Sequence, residues 1–176
     1  MARTSRKPKI DAAAHVIEGL AEATSDPLRA GESGQFTAKR ASAILVAKKV
    51  GFVVPTGTQR QNLLVAFAKR GRVVYGRAFD ILKLSRAVDL NSIEAVEANL
   101  DAITVYEIKS TKKSLPKNFS GFFFAISAAE ALVAQSLKQQ FKFAFVNTVT
   151  GDYLELSLKE IFARSRGIYP TWSIMF

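Results

Sequence analysis

Apolar residues fall in two rhythms along the chain, at helical spacing over its first fifty positions and in short strand-like runs after residue 72. Val16, Ile17 and Leu20 predict a short amphipathic helix from Asp11 to about Ala23, with Asp11 as its N-cap. Ser25-Asp26-Pro27 ends that helix, and Gly31 to Gly34 reads as a loop. From Thr37 to Val50 the stripe Ile44, Leu45 and Val46 predicts a second helix, closed by Gly51. Phe52-Val53-Val54 is a short strand ended by Pro55-Thr56-Gly57. Residues 58–70 fit either a helix ending at Gly71 or a buried strand.

The second half is strand-rich. Arg72 to Tyr75 and Phe79 to Leu84 predict strands around Gly76, and Ser92 to about Leu100 a short helix or an acidic loop. Ala102 to Tyr106 is β-branched and aromatic, hence strand, and continues into Glu107-Ile108-Lys109. Phe122 to Ile126 is continuously apolar and predicts a strand buried on both faces. Ser127 and Glu130 have capping-box spacing and open a helix through Leu137. Phe141 to Val146 is another buried strand, Thr150-Gly151-Asp152 a turn, Tyr153 to Leu156 a strand, and Ser157 to Arg166 a last helix stopped by Gly167. A tail follows that reaches the core through Trp172 and Phe176. This order predicts an α/β chain with a mixed sheet flanked by helices. The expected organisation is a flexible basic arm (1–10) and one domain (11–176), with an N-terminal helical part (11–70) and a core at about 75–166.

Side chains on a strand alternate between faces, so Ile103, Val105, Glu107 and Lys109 share one face, and Thr104, Tyr106 and Ile108 the other. A face that starts apolar and ends with an acid and a base suggests a strand emerging from the core into a polar site. The plainer alternative is an exposed cross-strand pair.

Composition narrows the chemistry. The 176 residues carry 25 Lys+Arg against 15 Asp+Glu, a net charge of +10, which points to a polyanion and most often to nucleic acid. The basic residues cluster, and Arg72, Arg77, Lys112, Lys113 and Lys117 lie close in sequence to the possible site. The absence of cysteine excludes thiol catalysis, disulfides and zinc–cysteine sites, and suits a cytoplasmic location. No apolar run is long enough to span a membrane, and the basic N-terminus lacks the apolar core of a secretory signal. The glycines match neither GxxxxGK[ST] nor GxGxxG, which disfavours a nucleotide cofactor. The lone histidine, His15, reads as structural and disfavours histidine-based nuclease chemistry.

Phosphodiester hydrolysis needs a divalent ion, an activated water and a cation near the developing charge. Glu-x-Lys on one strand offers a carboxylate and an ammonium, with the Ile108 carbonyl between them as a further ligand. Of the acids upstream, Asp101 on a continuous strand would sit about 20 Å from Glu107, and Asp89 lies in a polar segment without an apolar frame. Asp80, set among Phe79, Ile81 and Leu82, is the expected second carboxylate. Its plainer roles are a loop cap or a pair with Arg77. Ser127 and Glu130 are read as a helix cap alone, and Glu32 as a possible additional acid.

Asp80 followed at a distance by Glu107-Ile108-Lys109 resembles the signature of the PD-(D/E)xK nuclease superfamily. Residues 75–81, 106–111 and 124–130 are similar to the nuclease-like domain at the C-terminus of NO VEIN-type proteins. The resemblance covers about residues 75–150. Phe79 stands where the motif has proline, and the 26 residues between Asp80 and Glu107 imply an insertion at 85–101. It implies a restriction-endonuclease-like mixed β-sheet flanked by α-helices and magnesium-dependent cleavage of double-stranded DNA, with manganese as a substitute. Asp80, Glu107 and Lys109 would be catalytic, and Asp80, Glu107 and Ile108 would hold the metal.

The expected function is therefore a metal-dependent DNA endonuclease of restriction type. Since one site cuts one strand, a homodimer is expected. A basic DNA-binding module without catalysis is the alternative, either a degenerate nuclease fold or a regulator in which residues 37–70 form a helix-turn-helix-like unit. An RNA-associated accessory protein is a third, without an aromatic–basic signature to support it.

Overall fold

The computed structural model describes residues 27–169, with side chains from residue 37 onward. The chain divides into two units, residues 1–36 and 37–176, and the whole sheet lies in the second. The elements are α1 (Pro27–Ala47), β1 (Phe52–Val53), α2 (Gly57–Lys69), β2 (Ile81–Leu84), α3 (Ile93–Ala98), β3 (Ile103–Thr111), α4 (Ala128–Leu137), β4 (Phe141–Asn147), β5 (Tyr153–Leu156) and α5 (Leu158–Arg164). The strands form one sheet in the order β1-β2-β3-β4-β5. The first three make an antiparallel meander, β4 runs parallel to β3 after the α4 crossover, and β5 is antiparallel to β4. The expected mixed sheet flanked by helices is what the chain forms.

Local chemistry sets the element ends. Thr56 with Gln59, Ser127 with Glu130 and Ser157 with Glu160 each close a reciprocal capping box at the start of α2, α4 and α5. Gly51 takes a φ of +93°, and a Cβ there would strike the Leu84 carbonyl. Its own carbonyl accepts the Leu84 N–H at 2.9 Å, which fastens β1 to β2. One sheet face is buried under Leu63, Ala66 and Phe67 of α2, Val133, Ala134 and Leu137 of α4, and Ile161 of α5. On the other, Ala41 and Leu45 of α1 pack with Phe52, Ile81, Tyr106, Ile108, Ala144 and Val146. The buried Tyr106 hydroxyl is satisfied there by donating to Glu155 Oε2 at 2.6 Å, while Lys83 Nζ binds Glu155 Oε1 at 2.7 Å.

Several expectations need correction. Residues 31–34 are not a loop, because α1 runs unbroken from Pro27 to Ala47. Proline suits the first helical position. The two glycines cost about 1 kcal/mol each against alanine, offset by the fully buried Ala41 and Leu45 further along. The ambiguous run 58–70 is helix, and Leu63, Ala66 and Phe67 recur at helical spacing on its buried side. Residues 72–75 form no strand. The N–H groups of Arg72 and Val73 are met instead by the Phe67 carbonyl (3.0 Å) and Ser136 Oγ (2.7 Å).

Residues 122–126 are likewise outside the sheet and are half-buried on one side only. Phe122 and Phe124 pack on the Phe145 ring at 6.0 and 4.8 Å between centroids, whereas Phe123 is 60% exposed. Ring packing, not ladder bonding, fixes that segment. A helix-turn-helix at 37–70 is ruled out because β1, a member of the sheet, separates α1 from α2. The basic arm, the 11–23 helix, His15, and the tail with Trp172 and Phe176 lie outside the described residues, as does the Glu32 side chain.

Candidate active site

Strand register brings the acids together. Leu82 pairs with Val105 across β2 and β3, so Asp80, just before β2, stands opposite Glu107 on the face shared by Ile103 and Val105. The 26-residue separation comprises β2, the connection 85–102 with α3 and a 3-10 turn, and the start of β3. α3 is moored to α2 by Asn62, whose Nδ2 donates to the Leu90 and Asn91 carbonyls at 3.0 Å each. Because β3 and β4 are parallel, α4 begins beyond the carboxyl end of β3, which is where open α/β sheets offer a site.

Asp80 is held by two bonds to β3. Its N–H donates to the Tyr106 carbonyl at 2.8 Å, and its Oδ2 accepts the Ile108 N–H at 2.9 Å. It neither caps a loop nor pairs with Arg77. Glu107 and Lys109 are only 12% and 14% exposed, so the surface-pair alternative fails. Lys109 Nζ reaches Glu107 Oε1 at 3.1 Å and Glu130 Oε2 at 2.7 Å. Glu130 therefore does two jobs, since the same oxygen accepts the Ser127 N–H at 3.3 Å.

The electrostatics follow from burial. Desolvation pushes the Glu107 carboxyl up to about 8, helped by the charges of Asp80 and Glu130 and opposed by Lys109. Burial also raises Asp80, against the Ile108 N–H, Lys109 and Arg60. Like charges directly opposite one another on a sheet are destabilising unless something compensates them.

No family model, curated protein or solved structure matches this chain.

What the site can do follows from its own chemistry. Among the described residues no group of three or more His, Cys, Asp or Glu could cage a metal. A hard divalent ion such as magnesium needs less, typically one or two carboxylates plus waters. Asp80 and Glu107 supply two carboxylates whose repulsion a divalent charge would relieve, so the donor set fits. The Ile108 peptide is fixed beside both by its bond to Asp80.

Of the expected DNA contacts, Lys112, Lys113 and Lys117 are exposed just after β3, and Arg77 is exposed three residues before Asp80. Arg72 is not with them. It is half-buried, and its Nη1 donates to the Leu137 carbonyl at 3.4 Å, at the end of α4 away from the site. Two residues of the cluster were not foreseen as functional. Glu130 was legible only as a cap, because its bond to Lys109 depends on where the crossover helix starts. Arg60 left no signal in an ambiguous apolar run, yet its guanidinium donates to the Gly76 and Phe79 carbonyls at 2.8 and 2.6 Å.

Proposed function

We propose that the chain is a divalent-metal-dependent DNA endonuclease with a restriction-endonuclease-like core, acting in the cytoplasm on double-stranded DNA as a homodimer. The observation that carries this reading is the meeting of Asp80, Glu107 and Lys109 along the second half of β3. A net charge of +10 supports a polyanionic substrate.

Asp80 and Glu107 would hold magnesium or manganese, with the Ile108 carbonyl as a further ligand. When bound, the ion supplies charge stabilisation at the phosphate and lowers the pKa of water. Lys109 offers a positive charge to the phosphate oxygens or the attacking water. Glu130 keeps that ammonium in place when Glu107 turns to the metal. Lys112, Lys113, Lys117 and Arg77 hold the phosphate backbone across the site, neutralising charge without reading bases.

A second reading, a basic module without catalysis, is favoured by one observation: Lys109 is already satisfied by two carboxylates. Incubation of plasmid and phage DNA with magnesium, manganese, calcium or EDTA separates the two. The nuclease reading expects cutting with magnesium or manganese, little with calcium, and none in EDTA. DNA binding without cutting under every ion condition would establish the second reading instead.

A further inference from the structure

The β2–β3 ladder stops one step earlier than its register allows, and Arg60 is where the missing acceptor has gone. Ile81 pairs with Tyr106 and Lys83 with Thr104, so the next hydrogen-bonded pair of a continued ladder would be Phe79 with Ile108. In that arrangement the Ile108 N–H would donate to the Phe79 carbonyl. Instead the Phe79–Asp80 peptide is turned over: its N–H donates to the Tyr106 carbonyl at 2.8 Å, its carbonyl points away from β3 and accepts from Arg60 Nη1 at 2.6 Å, and the Ile108 N–H is taken by the Asp80 carboxylate at 2.9 Å.

Arg60 does not hold Phe79 alone. The same Nη1 binds the Gly76 carbonyl at 2.8 Å, and Nη2 approaches the Asp80 carbonyl at 3.5 Å. The guanidinium lies 4.1 Å from the centre of the Phe79 ring. A planar fork can bind several carbonyls while stacking on an aromatic face, and a lysine ammonium cannot reproduce this. Arg60 projects from α2, whose start is fixed by the Thr56–Gln59 capping box, so the fork is anchored to a rigid element. Its positive charge also acts favourably on Asp80 and Glu107.

We infer that Arg60 is a positioning residue: together with the Asp80 N–H bond to Tyr106, its grip on the Phe79 carbonyl holds that peptide turned away from β3, which leaves the Ile108 N–H to Asp80 and so sets the Asp80 carboxylate beside Glu107. Its importance to catalysis rests on the nuclease reading, whereas its effect on Asp80 is a property of the fold. Without the fork, the Asp80 N–H bond to Tyr106 alone holds the peptide turned, and a flip that returns the Phe79 carbonyl to the ladder displaces Asp80 from the Ile108 amide.

The Ile108 amide reports this directly in ion-free protein. In the full chain, Arg60→Lys and Arg60→Ala should shift the Ile108 amide resonance and speed its hydrogen exchange about tenfold relative to its strand neighbours, the effect of losing one hydrogen bond of ordinary strength. If Arg60→Ala does not fold, Arg60→Lys decides. Asn62→Ala is the control, because it removes two carbonyl bonds from the same helix and lowers stability without touching Asp80. Manganese titration by calorimetry is the second readout: Arg60→Lys should bind roughly 10–100-fold more weakly, and Asn62→Ala as wild type does. An unchanged Ile108 amide in the Arg60 variants would overturn the inference, as would equal acceleration in Asn62→Ala. A wild-type protein that binds no ion counts against the nuclease reading alone, since the amide measurement needs none.

Discussion

Replacing Glu107 by glutamine should make the ion-free protein more stable at alkaline pH while leaving it near wild type at mildly acidic pH. The Glu107 carboxyl is pushed up from 4.5 to about 8, chiefly by burial and secondarily by the Asp80 charge. Between those two values the folded state binds a proton that the unfolded state has released, so stability falls as pH rises and levels off above about 8. The slope is at most about 1.4 kcal/mol per pH unit, so from pH 5.5 to 8 the wild type would lose on the order of 3 kcal/mol at most from this group. Asp80, also raised, has less to repel it once its neighbour is neutral, which acts in the same direction. For a chain of this length, about 2–4 °C per kcal/mol turns this into a gap in melting temperature widening by up to roughly 10 °C. The assay is thermal unfolding of both proteins in EDTA at several pH values, by circular dichroism. Parallel curves across this range would refute the reasoning, because the buried acid pair would then carry no strain. Saturating magnesium should narrow the gap by stabilising wild type only.

Asp89→Ala and Asp101→Ala should cut DNA as wild type does. The Asp89 carboxylate accepts the Asn91 N–H at 2.9 Å, and Asp101 forms an exposed pair with Arg86, so both are remote in role from the site; loss of cutting in Asp89→Ala would show that the wrong acid was chosen. DNA affinity should fall steeply with salt, with a slope of log K against log salt near −5 if about six phosphates are neutralised. A flat dependence, measured by fluorescence anisotropy, would mean that the basic surface does not track a phosphate backbone. Tyr106→Phe should cost about 1–2 kcal/mol in urea unfolding by removing the hydroxyl from Glu155, without changing cleavage, since Tyr106 lies on the opposite sheet face from Glu107.

Periodicity and caps made most of the elements legible from sequence. The alternation across 103–109 sorted Ile103, Val105, Glu107 and Lys109 onto one face, and the packing of Ile103 and Val105 against one core and Tyr106 and Ile108 against the other bears this out. Ser127-x-x-Glu130 marked the start of α4 because a capping box is a local signal. Asp80 was legible as an acid in an apolar frame, and register explains why a distant residue reaches Glu107. The segment 122–126 was misread because a run of phenylalanines looks the same whether its partners are ladder strands or the ring of Phe145. Gly31 and Gly34 misled because glycine disfavours a helix without forbidding it. The Lys109–Glu130 bond and the Arg60 clamp join residues 21 and up to 20 positions apart in the sequence, and only tertiary packing creates them.

The most direct measurement is single-turnover cleavage of a DNA duplex pool in magnesium by wild type, Asp80→Ala, Glu107→Ala and Lys109→Ala, with DNA affinity measured in parallel. The account predicts cutting by wild type that EDTA abolishes, no detectable cutting by any of the three variants, and DNA binding that persists in all of them. Wild-type cleavage in EDTA, or robust cutting by Asp80→Ala, would contradict it.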